Sequence, residues 1–219
     1  MPLQSQSTSL SLITWNVRGL DNTAKRHKIH SYLIRRGAHI AILQETHLTT
    51  EEGDRLRRRW RGQLYNTTFS AFSRGVLIWI RPSIPFALAF QKVDPEGRYV
   101  FIQGSLNSAP LSILGLYAPN FGQLPFLLQL EHMVETALST PLLIGGDFNG
   151  VCDVLMDRSH PPLAGTQAHK QAMDLTNWIR AWHLSDTWRM THPDASEFSF
   201  FSPVHQLHTR IDMILASIH

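Results

Sequence analysis

The sequence predicts an α+β fold: a two-sheet β-sandwich, packed face to face and flanked by helices. Three observations predict it. Short apolar and β-branched runs recur along the chain and read as strands. Only a few segments with helical spacing interleave with them. Several neighbouring strands follow one another as meanders, which places sheet against sheet rather than helix between every pair of strands.

In chain order, Leu10 to Asn16 reads as a strand that ends on a polar residue, and Lys25 to Arg36 as a helix with Ile29, Leu33 and Ile34 on one face. Ala38 to Leu43 is an apolar strand running into Gln44-Glu45-Thr46-His47, and Arg55 to Trp60 reads as a short helix or loop. Gly75 to Ile80, Tyr99 to Gly104 and Leu111 to Leu116 read as strands, the last ending on Tyr117-Ala118-Pro119-Asn120. A helix over Leu124 to Leu138 precedes the strand Leu142 to Ile144, and His169 to Trp182 alternates like an amphipathic helix. Phe198 to Phe201 and Arg210 to Leu215 read as short closing strands. No repeat or low-complexity linker divides the chain, and Pro161-Pro162 with Gly165 marks a loop.

Bulk numbers set the bounds. The 219 residues suit one large domain or two small ones, and 43% hydrophobic content supports a substantial core. No apolar stretch reaches the length of a membrane span. Residues 1–9 are polar and Ser/Gln-rich, lack the features of a signal peptide, and are expected to be a disordered lead before one domain over 10–219. The single cysteine, Cys152, excludes an internal disulfide framework and fits a reducing compartment. A net charge of +3 is weak evidence for nucleic acid. Arg55, Arg57, Arg58, Arg59 and Arg61 are crowded enough to be either a solvated helix face or a phosphate-contacting surface.

The most informative segment is Pro141-Leu-Leu-Ile-Gly-Gly-Asp147-Phe-Asn149-Gly150. An apolar strand feeds two glycines, which are expected to turn the backbone tightly, and then an acid and an amide two residues apart. Alternate residues of a strand share a face, so Asp147 and Asn149 can point at one reacting centre. A carboxylate binds metal or orients water; an amide bonds a phosphoryl oxygen without repelling it. The pattern repeats: strand after strand ends on a polar residue, Asn16, Glu45, Tyr117, Asp147 with Asn149, and finally Asp212. Polar strand ends of a layered sheet protein can gather at one rim. The inventory is acids, amides and a phenol with no cysteine cluster, which favours Mg²⁺ over Zn²⁺.

Thr14-Trp15-Asn16-Val17-Arg18-Gly19-Leu20, Leu43-Gln44-Glu45-Thr46-His47-Leu48, Leu116-Tyr117-Ala118-Pro119-Asn120, Gly146-Asp147-Phe148-Asn149 and Arg210-Ile211-Asp212 occur in that order. Together they resemble the endonuclease/exonuclease/phosphatase superfamily, and within it the apurinic-like endonuclease domain of LINE-1-like non-LTR retrotransposons. The resemblance runs from about Leu10 to Ser217 and implies a DNase I-like four-layer fold. It implies Glu45 as the main Mg²⁺ ligand (Mn²⁺ substituting), with Asn16 as a direct or indirect metal partner. Tyr117 then hydrogen-bonds the scissile phosphate, Asp147 orients the attacking water, and Asn149 holds a phosphoryl oxygen. Asp186 matches a further acid of the family, with a helix cap as the competing reading.

One motif departs. Where the resemblance leads one to expect Ser-x-x-Asp-His, the chain reads Thr209-Arg210-Ile211-Asp212-Met213. Thr209 can replace a serine hydroxyl, but a thioether cannot serve as an acid–base group. Three readings follow: slow nicking through the metal and Asp147, with Asp212 recruited toward metal or water; substitution by His205 or His208; or a silent DNA-binding module. L1-like relatives in lower vertebrates carry Tyr at this position, which favours an enzyme. The resemblance further implies a nick in one strand of duplex DNA, leaving a 3′-hydroxyl that primes reverse transcription. It implies a covalently linked reverse transcriptase domain, no membrane, and a protein that is nuclear at its site of action and otherwise cytoplasmic, with no targeting signal visible. Arg18, Ser202, His205, Thr209 and Arg210 are candidate DNA contacts, and Ser202 to His208 is read as either a groove-entering hairpin loop or an ordinary surface turn. A phosphoesterase acting on lipid or inositol phosphates is a further class within the superfamily.

Overall fold

The computed structural model describes residues 10–217; the expected lead over residues 1–9 lies outside them. The first sheet holds β1 (Leu12–Asn16), β2 (Ile40–Gln44), β3 (Gln63–Thr67) and β4 (Val76–Ile80), in the order β1-β2-β4-β3. The second holds β5 (Phe86–Val93), β6 (Tyr99–Leu106), β7 (Ala109–Tyr117), β8 (Leu142–Asp147), β9 (Leu184–Asp186) and β12 (Asp212–Ser217), in the order β5-β6-β7-β8-β12-β9. A separate hairpin pairs β10 (Phe200–Ser202) with β11 (Leu207–Thr209). The helices are α1 (Thr23–Arg35), α2 (Thr50–Arg59), α3 (Gln123–Thr136), α4 (Gln167–Ala181) and α5 (Thr187–Thr191).

Three apolar layers hold four structural ones. Ile40, Ile42, Val76 and Ile78 meet Val100, Ile102 and Ile113 between the sheets. Ile29 and Leu33 of α1 and Leu56 of α2 cover the outer face of the first sheet at Leu43, Leu77 and Trp79. Phe126 and Leu130 of α3 and Leu175 and Trp178 of α4 cover the second at Phe101, Leu114 and Ile144. Strands β2 and β4 are buried on both faces, which is why they read as unbroken apolar runs rather than alternating ones.

The predicted sandwich stands, with boundaries shifted by one to a few residues. The short helix placed over Arg55 to Trp60 begins earlier, at Thr50, because Thr49 and Glu52 form a reciprocal capping box there. Strands β3, β5, β9 and β11 were not anticipated. β3 is polar (Gln-Leu-Tyr-Asn-Thr), β5 is an exposed edge strand, and β9 and β11 are three residues each, so none carries a clear period.

The reason for the double glycine is different from the one expected. Gly145 and Gly146 lie within β8, not in a turn. A Cβ at Gly145 would stand 2.7 Å from Ile42 Cδ1, and one at Gly146 would overlap the Leu116 carbonyl. Gly145 allows close sheet-to-sheet approach, and Gly146 lies tight against its neighbouring strand β7. The turn is made instead by Asn149, whose φ is +47°.

Two parallel pairs aim the functional strand ends. β1 runs parallel to β2, with Asn16 beside Gln44, and β7 runs parallel to β8, with Tyr117 beside Asp147. Antiparallel β12 enters at the same edge, Asp212 opposite Asp147. The arginine-rich end of α2 lies at the other edge: the following strand starts with Gln63 beside Ile80, whose own partner is Ile40 at the start of β2. Arg57 there pairs with Asp54 and Asn66, so this run is a solvated helix end and not part of the rim.

Candidate active site

The rim encloses an open cleft of about 650 Å³ lined by Asn16, Arg18, Glu45, Tyr117, Asp147, Asn149, Asp212 and their neighbours. One amide joins its two sides. Asn16 Nδ2 donates to Glu45 Oε1 at 2.8 Å and to Asp147 Oδ2 at 2.9 Å, a link between the sheets that spends both amide protons. Asn16 Oδ1 accepts from the Arg18 N–H at 3.1 Å. Asp147 Oδ1 accepts from the Asn149 N–H at 2.9 Å, and Asn149 Nδ2 donates to the Ala118 carbonyl at 2.7 Å. Gln123 at the start of α3 ties down the Asn149 carbonyl, fixing the loop from below.

Burial and like charge then shape the acids. Burial, followed by the Asp212 carboxylate, raises the Asp147 pKa to about 7, although the Asn16 amide and Asn149 N–H oppose the shift. Burial also raises Asp212, against the Ser199 hydroxyl and Arg18, which lower it. Tyr117 is pushed up by burial, by the charge of Glu45 and by a hydrogen bond to it, so its phenol stays protonated at neutral pH. Backbone strain concentrates here too: Arg18, Glu45, His47 and Asn149 all have φ between +47° and +51°.

Among the described residues, no three His, Cys, Asp or Glu side chains lie close enough together to form a ready-made metal cage. The donor set nevertheless fits a hard cation. Among the described residues, Asp212 Oδ1 is buried with no hydrogen-bond partner. Three carboxylates, Glu45, Asp147 and Asp212, share one cleft, and like charge from its neighbours adds to burial in raising Asp147 and Asp212. A hard, oxygen-loving dication offsets both features.

Asn16, Glu45, Tyr117, Asp147, Asn149, Asp212 and Arg18 therefore come together as the sequence predicts. Others do not. Asp186 does not line the cleft: its Oδ1 caps α5 through the N–H groups of Trp188 and Arg189, and its Oδ2 accepts from Arg210 at 2.5 Å. The helix-cap reading holds for it. Arg210 does not project from the surface: its guanidinium is buried against Asp157 and Asp186. Thr209 is likewise buried, in β11. Ser202 and His205 do sit on the rim of an adjoining cavity of about 200 Å³ with Arg158 and Asn120, at the turn of the β10–β11 hairpin.

Met213 requires the largest correction. It lies on the face of β12 opposite Asp212, is 2% exposed, and packs in the α3/α4 core with its Sδ 3.4 Å from Cys152 Sγ. A histidine at 213 would enter that core rather than the cleft. The Met213 side chain thus belongs to the core and does not line the cleft. Sequence reasoning also missed three contributors. His47 places Nε2 3.5 Å from Glu45 Oε2, and its place two residues beyond Glu45 was the available signal. Ser199 Oγ accepts from the N–H groups of Ile211 and Asp212, and no pattern marks it. Asp157, wholly buried, anchors Arg189 and Arg210, and only tertiary pairing reveals it.

A four-layer α/β/β/α sandwich with an acid, amide and phenol cleft at the carboxyl ends of its strands defines the class. The sequence profile of the endonuclease/exonuclease/phosphatase family matches residues 13–218, and the chain belongs to that family. It is similar to the Transposon TX1 uncharacterized 149 kDa protein of Xenopus laevis, 29% identical over 217 residues covering 96% of this chain; the chain spans 16% of that relative's length. Among solved structures it is similar to the AP endonuclease LMAP from Leishmania major, with a TM-score of 0.74 and 19% identity over 95% of this chain and 79% of that one. It is also similar to an AP endonuclease from Archaeoglobus fulgidus, with a TM-score of 0.71 and 18% identity over 95% and 87%. The 3′ phosphatase NExo from Neisseria, bound to product DNA hairpin, follows with a TM-score of 0.70 and 19% identity over 95% and 87%. At such identities the structural likenesses establish the fold.

Proposed function

We propose that the chain is a Mg²⁺-dependent endonuclease that nicks one strand of duplex DNA and leaves a 3′-hydroxyl. The observation that carries this reading is the Asn16 amide holding Glu45 and Asp147 together at the mouth of one cleft. Glu45, Asn16 and Asp212 would hold the cation, which when bound neutralises charge on the phosphoryl group.

The remaining chemistry belongs to the side chains. Asp147, with its pKa raised to about 7, is a stronger base than an ordinary carboxylate and still ionises near neutrality. It accepts a proton from a water whose oxygen attacks phosphorus. The P–O3′ bond breaks, and the 3′-oxygen takes a proton from solvent. Tyr117, kept protonated, donates to a non-bridging oxygen. Asn149 has spent one amide proton on Ala118 and offers the other. Arg18, exposed at the cleft, and the Ser202–His205 turn meet flanking phosphates.

The kinship with a 149 kDa transposon protein supports placing this domain, residues 10–219, within a longer chain that carries a reverse transcriptase, where the 3′-hydroxyl primes DNA synthesis in the nucleus. Among the described residues no helix is long and apolar enough to cross a membrane. A second reading, DNA binding without cleavage, is favoured by one observation: among the described residues no histidine lines the cleft. Supercoiled plasmid incubated with Mg²⁺ or Mn²⁺ separates the two. Nicking by the wild type and background activity from Glu45→Ala support the enzyme; equal background from both, with DNA binding intact, supports the silent module. Competition by duplex DNA, and none by inositol phosphates, sets nucleic acid apart from a lipid-headgroup substrate.

A further inference from the structure

The charges of the chain are divided unevenly, and the cleft does not account for the division. Residues 1–93 hold fourteen Lys and Arg against five Asp and Glu, and residues 94–219 hold six against twelve. No acid occurs between Asn22 and Gln44, or between Arg55 and Val93. Those two stretches contain all of α1 and the second half of α2, the helical layer over the first sheet. Such a split between the halves of one domain points to a polyanion.

The two helices run side by side away from the rim. Arg26 of α1 pairs with Glu52 in the first turn of α2 at 2.8 Å, and further along the His30 ring stacks on Trp60 at 4.8 Å. Their carboxyl ends therefore lie together at the far edge, about 20 Å from the rim for a helix as long as α1. Arg35 and Arg36 close α1, Arg58 and Arg59 close α2, and Arg61 follows; all five are exposed. Arg81 joins them by donating to the Ile34 carbonyl at 3.4 Å. Among the described residues none of these six guanidiniums pairs with a carboxylate, whereas Arg26, Arg57, Arg74, Arg189 and Arg210 all do. Arg36 is also braced: its Nε donates to the Tyr32 hydroxyl at 3.1 Å and its guanidinium lies 5.2 Å from that ring's centre, which leaves both Nη groups unspent. A cation in the last turn of each helix answers its dipole. Six around one edge repel each other, and a bound polyanion offsets that repulsion.

Arginine forks suit phosphate oxygens, which they meet bidentately. Ile34 is the one large apolar side chain exposed on the two helices, so the layer has no apolar face with which to enter a bilayer. We propose that this far end of the α1/α2 layer is a second nucleic-acid site, which holds the phosphates of the RNA strand to be copied while the rim holds the duplex to be nicked. The proposal rests on the nuclease reading and deepens it: a 3′-hydroxyl that primes reverse transcription needs an RNA template kept close to the nick and clear of the reacting centre. Contacts to phosphates alone carry no base information, so the site takes RNA of any sequence.

Fluorescence anisotropy of a labelled oligouridine strand tests this, with Ca²⁺ in place of Mg²⁺ and the rim filled by one equivalent of unlabelled duplex DNA. Wild type binds the strand. The Arg35→Gln/Arg36→Gln/Arg58→Gln/Arg59→Gln protein binds it about 10²-fold more weakly at about 0.1 M salt, with a log–log salt slope shallower by about 2–3, at about 0.7 per phosphate of a single strand. All four positions are exposed, so this variant melts and nicks plasmid as wild type does. Lys170→Gln/Arg180→Gln, at exposed positions of α4 on the opposite helical layer, leaves RNA binding unchanged. RNA displaced by the duplex, a quadruple variant that binds as tightly as wild type, or an α4 variant that weakens binding equally overturns the site. So does a wild type that binds phosphatidylserine vesicles through these arginines and binds no RNA. Plasmid nicking by wild type against Glu45→Ala decides the nuclease reading separately: nicking without RNA binding removes this site alone, and RNA binding without nicking removes that reading alone.

Discussion

Two carboxylates stand opposite each other on neighbouring strands, Asp147 on β8 and Asp212 on β12, yet their surroundings differ. Around Asp147 both oxygens have donors, one from Asn16 of the other sheet and one from the Asn149 backbone. Asp212 has the Ser199 hydroxyl and Arg18 beside it, yet among the described residues its Oδ1 is buried without a partner. One acid has both oxygens satisfied by the fold; the other leaves one open. The difference teaches where preorganisation ends: the Glu45–Asn16–Asp147 side is fixed by hydrogen bonds that the fold completes itself, and the Asp212 side is left for a cation or substrate to complete.

The largest test of that contrast is chemical. Asp147→Asn should lower nicking by about 10²–10⁴ with duplex binding retained, since it removes the base but not the cleft. Activity within a few-fold of wild type would remove Asp147 from the role assigned to it. Next comes the support beneath Asp212. Asp157→Ala leaves Arg210 and Arg189 without their buried partner and should destabilise the domain by about 3–5 kcal/mol in urea unfolding. A change under about 1 kcal/mol would mean that this ion network does not secure the start of β12.

The third test is pH dependence without metal. The Asp147 pKa is raised to about 7 in the folded state against 3.8 as a free carboxyl, so the folded state binds this proton more tightly than the unfolded chain. Below about pH 4 both states are protonated. As pH rises from there to 7 the unfolded chain releases the proton first, and stability falls by up to about 4 kcal/mol, at about 1.4 kcal/mol per pKa unit. Thermal melts in EDTA should show this fall. Divalent cation should restore stability at pH 8 in wild type and much less in Glu45→Ala. A flat profile in EDTA would show that Asp147 is not strained by its neighbours.

Smaller effects sharpen the corrected view of β12. Met213→His should cost about 1–3 kcal/mol, because it buries an imidazole beside Cys152, and should bring no gain in nicking rate. A tenfold gain would return position 213 to the reacting centre. Smallest of all, Arg59→Ala should change stability by no more than about 0.5 kcal/mol and leave nicking unaltered, as an exposed residue at the far edge.

Asn16, Glu45, Tyr117 and Asp147 could be read from the sequence because each sits at the end of an apolar strand, where a polar residue has no packing reason to be. Asp186 and Arg210 could not be separated from them by the same logic. Each lies in a motif-like run, but they spend their charges on one another and on Asp157, and a partner 24 or 53 residues away leaves no local trace. Secondary structure divides in the same way. The buried strands β2, β4 and β8 carry strong apolar signals, whereas the polar β3 and the exposed edge β5 exist because a neighbour offers a ladder.

The sequence by itself determined the sandwich, the order of its most apolar elements and the set of oxygen and amide groups delivered to one rim, because apolar periodicity and strand ends are local properties. Only the tertiary structure decided that Asn16 bridges the two sheets, that Met213 faces a core, and that Asp212 Oδ1 has no partner among the described residues. Those facts depend on which face a side chain takes after strands pair, and pairing is set by contacts between residues far apart in the chain.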